Sequence, residues 1–124
     1  MSEVRFAFGE NWQRFLAHLS PDRIAAAKGS LTESLATPTL QGMRFIDVGA
    51  GSGLFSLAAH ELGARVHSFD YDPSSVACVE ELKRRFAPDS SRWTIERGSA
   101  LDEKYMRALG TAEIVYSWGV LHHT

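Results

Sequence analysis

The sequence holds a single cysteine, Cys78, so no internal disulfide can form and a reducing cytoplasm is the expected setting. No apolar run approaches the length of a bilayer span, and the opening MSEVRFAFGENW lacks the basic region and apolar core of a signal peptide. Neither sign of charge dominates. Thirteen Lys and Arg stand against 15 Asp and Glu, a formal net charge of -2, which gives no long electrostatic footprint for nucleic acid or an anionic membrane. Metal-ligand spacing is also missing: the cysteine has no partner, and adjacent His122 and His123 lack the helical spacing that lets two imidazoles meet one ion. A hydrolase elbow fails as well, because Ser52 follows Gly51 directly, and GAGSG has no Lys-Ser/Thr ending to cradle phosphates.

What is present centres on Arg44 to Leu57, RFIDVGAGSGLFSL. A β-branched apolar run carrying one acid, Asp47, breaks into alternating glycines before a helical pattern begins. Strand, glycine turn and helix in that order suit a nucleotide-type ligand. Glycine lets the backbone approach closely, and the helix starts with free N–H groups. With 124 residues, the chain has room for one domain with a core.

In chain order, Trp12, Phe15, Leu16 and Leu19 share a helical face, and Pro21 suits the first turn of a second helix over roughly Asp22 to Leu35. Thr37 to Gly42 is a connector. The helix after the glycines ends at Gly63, and Arg65 to Phe69 is a second strand running into Asp70. Asp72 caps a helix starting at Pro73, whose expected buried stripe is Val76, Val79, Leu82 and Phe86. Trp93 to Arg97 is a third strand, Glu103 to Leu109 a short helix, and Ala112 to Ser117 a fourth strand. The expected fold is α/β, a doubly wound and mainly parallel sheet preceded by two helices. Residues 1–41 form a helical segment that could act as a lid, and residues 42–124 a Rossmann-like domain. With nothing after it, the fourth strand is expected to be an open edge, so an incomplete domain and self-association through that edge are expected.

Asp70 falls about twenty residues past the glycines, where a carboxylate can accept both hydroxyls of a ribose. Together these segments resemble the class I S-adenosylmethionine-dependent methyltransferases. FIDVGAGSG is similar to their first motif, VHSFDYDP to the second, RGSALD to the adenine-side loop, and EIVYSWGVLHHT to the fourth strand with its loop. The resemblance implies S-adenosylmethionine as cofactor, with Asp47, Gly49, Ala50, Gly51 and Gly53 around its methionine and ribose and Asp70 on the ribose. It also implies Tyr71 against the adenine, Ser99, Ala100 and Leu101 along the adenine edge, and Ser117, Trp118 and Gly119 facing the methionine.

A cationic sulfonium is stabilised by a buried carboxylate such as Asp47 and by aromatic faces, for which Trp118 and Trp12 are candidates. Methyl transfer asks mainly for alignment and water exclusion, and an acceptor that must lose a proton could use His122 or His123 as base. The expected activity is methyl transfer to an unidentified small-molecule or other acceptor. Two alternatives remain: a non-catalytic nucleotide-binding module, and an NAD(P)-dependent oxidoreductase module, against which Leu54 and Phe55 stand where a dinucleotide fold has its last glycine.

Overall fold

The computed structural model describes residues 13–117. Helix α1 is described over residues 13–18 and is followed by α2 (Pro21–Leu35), β1 (Arg44–Val48), α3 (Leu54–Glu61), β2 (Arg65–Asp70), α4 (Pro73–Phe86), β3 (Trp93–Arg97), α5 (Glu103–Leu109) and β4 (Ile114–Tyr116). All strand pairs are parallel, and the order across the sheet is β3-β2-β1-β4. The chain builds outward from β1 to β3 and then crosses to the other side of β1. That reversal leaves a crevice at the carboxyl ends of β1 and its neighbours, where open α/β sheets take ligands.

Local chemistry sets the elements. Ser20 caps α2 by accepting from the Arg23 backbone N–H at 3.3 Å, with Pro21 in the first turn. Asp72 caps α4 through the Ser74 N–H at 3.0 Å, as its position predicted. Side chains alternate across the strands. Phe45, Val66 and Trp93 face the main core, built with α2, α3 and α4 from Ile24, Leu31, Leu57, Val79 and Leu82. Ile46, Val48 and Phe69 face a smaller cluster closed by Leu109 of α5. Phe15, Leu16 and Leu19 pack against the main core, whereas Trp12 lies outside the described residues.

Two expectations change. The fourth strand is Ile114–Tyr116, shorter at both ends than Ala112 to Ser117; among the described residues it forms one edge of the sheet, with Val115 58% exposed, and β3 forms the other. Neither Val76 nor Phe86 joins the buried stripe of α4. The stripe runs through Ser75, Cys78, Val79 and Leu82, and Phe86 turns out beside Pro21, Ile24 and Lys28. Helix α2 ends at Ala36 in the left-handed region, φ 53°, where its N–H reaches back to helix carbonyls. Among the described residues no helix is long and apolar enough to cross a membrane.

Candidate active site

The glycine turn ties the carboxyl end of β1 to β2, and Gly98 ties that of β3 to β2. Gly49 and Ala50 both donate to the Phe69 carbonyl at 3.0 Å, and Gly98 donates to the Asp70 carbonyl at 3.1 Å. Gly49, Gly51 and Gly53 all have positive φ, 71°, 61° and 85°. At Gly53 a Cβ would also meet Val79 at 2.9 Å, so this glycine lets the start of α3 rest on α4. At Gly51 a Cβ would meet nothing within 4 Å, so the backbone there faces open space.

Asp70 is the hinge of this arrangement. One carboxylate oxygen accepts from the Gly51 N–H at 2.9 Å and the other from the Asp72 N–H at 2.9 Å. A carboxylate has about four lone-pair sites, so both oxygens keep capacity for a ligand hydroxyl. The acid that the resemblance puts on the ribose therefore also fixes the glycine turn.

A cavity of about 190 Å³ opens beside it, lined by Gly49, Asp70 and Tyr71 and by Ser99, Ala100 and Leu101. These are six of the residues the sequence singled out, brought together from three strand ends. Tyr71 is 69% exposed, and the Arg97 guanidinium lies 5.3 Å from its ring centroid while donating to the Tyr71 carbonyl at 3.0 Å. Ser99 accepts from the Leu101 N–H at 3.1 Å, which shapes the loop, and Asp102 caps α5. The floor, Phe69, and the hinge, Gly98, were not anticipated. Strand alternation places Phe69 on the α5 side directly before Asp70, a signal the sequence does carry.

Asp47 is buried, as expected of the carboxylate meant to lie near a cationic ligand. It is 3% exposed and points behind the turn, where the Ser56 hydroxyl donates to it at 2.6 Å. Ser56 also bonds Ser68 at 2.6 Å, and the Trp93 indole N–H donates to Ser68 at 2.9 Å. This buried polar chain joins β1, α3, β2 and β3 and was not foreseen. Burial pushes the Asp47 carboxyl up to about 6 against the pull of Ser56, with the charge of Asp70 adding a smaller upward push. Ala50, Gly51 and Gly53 belong to the turn but do not line the cavity, and Ser117 is half-buried at the end of β4. Trp118, Gly119, His122 and His123 lie outside the described residues.

Two histidines without an expected partner have one. His60 meets the Ser90 hydroxyl at 2.7 Å, and burial, then Arg92, holds its pKa below the usual imidazole value. His67 meets Glu96 at 2.8 Å, and the Tyr105 hydroxyl donates to the same carboxylate at 2.7 Å.

A family model described as ribosomal protein L11 methyltransferase (PrmA) matches residues 27–87. The tRNA U34 carboxymethyltransferase of Alcanivorax borkumensis is 33% identical over 113 residues, covering 90% of this chain and 28% of that protein. A ribosomal protein L11 methyltransferase of Methylococcus capsulatus is 43% identical over 54 residues, covering 43% of this chain and 18% of that protein. Among solved structures, magnesium protoporphyrin IX methyltransferase (ChlM) from Synechocystis PCC 6803 with bound SAH superposes with a TM-score of 0.65 at 20% identity, covering 99% of this chain and 60% of that one. At that identity the superposition shows the fold. The chain spans under a third of the length of these two curated relatives.

Proposed function

We propose that this chain, which belongs with the class I S-adenosylmethionine-dependent methyltransferases, binds S-adenosylmethionine as the cofactor half of a methyl-transferring enzyme. The observation that carries this reading is the junction of Asp70 with the glycine turn beside a cavity walled by the 98–101 loop. The residues fit the group. Asp70 keeps acceptor capacity for two ribose hydroxyls, and Tyr71, Phe69 and Ala100 give the cavity the apolar surface that an adenine needs. The open backbone at Gly51 admits the nucleoside without a side chain in the way.

When bound, the sulfonium supplies an activated methyl group to an in-line nucleophile. The chain's own part is to orient and to shield. Asp70, pinned by two backbone N–H groups, holds the ribose in a fixed position, so that alignment is prepared before the acceptor arrives. Asp47 does not touch the solvent-facing wall. It supports the turn from behind through Ser56 and acts on a cationic ligand only through its field. Ser117, Trp118 and Gly119 are proposed to face the methionine, and His122 and His123 to be the candidate bases, as their sequence positions suggest. Residues 1–41 are proposed as a helical segment leading into the domain, whose α2 packs on α3. The buried Cys78, its thiol pushed up to about 11 mainly by burial, is inert and compatible with a cytoplasmic setting.

Calorimetric titration tests the assignment. S-adenosylhomocysteine should bind and NAD should not. A preference for NAD defeats it. Labelled donor incubated with the chain and cell extract separates catalysis from a binding-only module: labelled product that disappears in Asp70→Ala supports the enzyme, and cofactor binding without product supports the module.

A further inference from the structure

The amino ends of the strands, opposite the glycine turn, carry an unexpected row of like charges. Arg44 of β1 stands in register with Arg65 of β2, and Arg92 immediately precedes Trp93, the β3 partner of Val66. Three arginines therefore lie side by side at one level of three adjacent strands. Like charges placed opposite one another in a sheet are destabilising, so this row works against the fold. Two of its members are held nonetheless. The Arg44 guanidinium donates to the Leu109 and Thr111 carbonyls, the latter at 2.7 Å, and the Arg92 guanidinium donates to the Ala64 carbonyl at 2.9 Å. Arg65, between them and exposed, makes no side-chain hydrogen bond or ion pair among the described residues.

A cleft of about 210 Å³ opens against this row, and its lining adds Ser91, Thr94 and His67 without any carboxylate. The acids nearest the cleft are otherwise engaged. Glu96 bonds His67 and Tyr105, and Glu113 accepts from the Arg44 backbone N–H at 2.8 Å, which with the fields of Arg65 and Arg44 holds its carboxyl below the usual range.

We infer that this cleft is an anion site for a ligand carrying two or more phosphate groups. Strands about 4.8 Å apart spread three arginines over roughly 10 Å, wider than one phosphate and suited to a diphosphate or to successive phosphates of a nucleic-acid strand. Each guanidinium has five donors, so Arg44 and Arg92 keep several after their carbonyl bonds and are already immobilised. The hydroxyls of Ser91 and Thr94 add neutral donors. An anion relieves the repulsion across the row as it binds. The site lies at the strand ends away from the proposed cofactor cavity, and it stands or falls independently of that reading.

The test uses the full chain in phosphate-free buffer at low ionic strength, titrated with pyrophosphate and separately with a short single-stranded RNA, in wild type, Arg65→Glu, Arg65→Lys and Thr94→Glu. Wild type should bind at least one probe. Arg65→Glu and Thr94→Glu should weaken it tenfold or more, and Arg65→Lys should stay within a few-fold. Pyrophosphate or RNA should raise the thermal midpoint of wild type but not of Arg65→Glu, whose own midpoint should match or exceed wild type because the repulsion is gone. Tighter binding of RNA assigns the phosphates to a nucleic-acid backbone, and equal or tighter binding of pyrophosphate to a small phosphate compound. Absence of binding by both probes below millimolar, or equal binding by wild type and well-folded Arg65→Glu, overturns the site.

Discussion

The two faces of the sheet use the same kinds of polar contact to different ends. On the face covered by α3 and α4, Asp47, Ser56, Ser68 and Trp93 form a chain in which every member is 3% exposed or less. On the face covered, among the described residues, by the seven-residue α5, His67, Glu96 and Tyr105 form a cluster of similar hydrogen-bond lengths, but all three are half-buried. Water can replace a lost partner on the second face and cannot on the first. The covered face therefore fixes the fold, and the thinly covered face leaves room for ligands. The proposed cofactor cavity has its floor, Phe69, on that thin side.

The sharpest way to break this contrast is Trp93→Ala. The indole is 2% exposed, packs 5.4 Å from the His60 ring and donates to Ser68, so its loss should cost about 3–5 kcal/mol in urea denaturation. A loss under about 1 kcal/mol, the scale of one ordinary hydrogen bond, would show that the covered face is not the stability centre.

Asp47 gives the contrast a pH signature. Its folded carboxyl, raised to about 6 from 3.8, binds a proton more tightly than in the unfolded chain. The stability this supplies is fully present below pH 3.8 and is lost as pH rises through about 6. The difference corresponds to about 3 kcal/mol. Asp47→Asn, which keeps an acceptor for Ser56, should remove most of that slope between pH 4 and 7. An unchanged slope in the variant would assign the dependence to another group.

At the rim between the faces, Asp70→Ala should weaken S-adenosylhomocysteine binding by about 1–3 kcal/mol in calorimetry, the scale for unpairing partly buried donors. Because Asp70 also accepts from Gly51 and Asp72, part of the loss belongs to the glycine turn. Asp70→Asn, which retains one acceptor oxygen, should fall between. Unchanged affinity in both variants removes Asp70 from the site.

How much of this could be read from the chain follows the same division. The order of elements was legible because strand alternation, glycine breaks and caps such as Asp72 are local patterns. So was the rim, where Gly49, Asp70 and the 99–101 loop keep a fixed spacing. The buried chain was not legible. Ser56 and Ser68 lie on different elements, and nothing local marks a serine that will be fully enclosed. Asp47 was expected to be a buried carboxylate and is one, but its position gave no sign of which side chain would bond it. Phe86 misled because a helical stripe counts apolar residues without knowing where the neighbouring helix ends. The arginine row was invisible because it exists only in the register between strands.

The smallest expected effect lies on the thin face, where Tyr105 links α5 to the sheet. Its ring meets Phe69 edge-on at 5.0 Å, and a Cβ on Gly98 would lie only 2.5 Å from it, so ring and loop hinge are closely fitted. The Tyr105 hydroxyl bond is the main influence holding the Glu96 carboxyl below its usual range, ahead of the opposing effect of burial. Tyr105→Phe keeps the fitted ring and removes this bond together with the longer 3.5 Å contact to His67, and water can reach Glu96 in its place. Stability should fall by about 1 kcal/mol or less in thermal unfolding, with cofactor affinity nearly unchanged. Tyr105→Ala should instead loosen the 98–101 wall and weaken S-adenosylhomocysteine several-fold. If the hydroxyl deletion alone matched the cost of Trp93→Ala, the polar cluster of the thin face would hold the fold as firmly as the sealed one, and the division of labour between the faces would be lost.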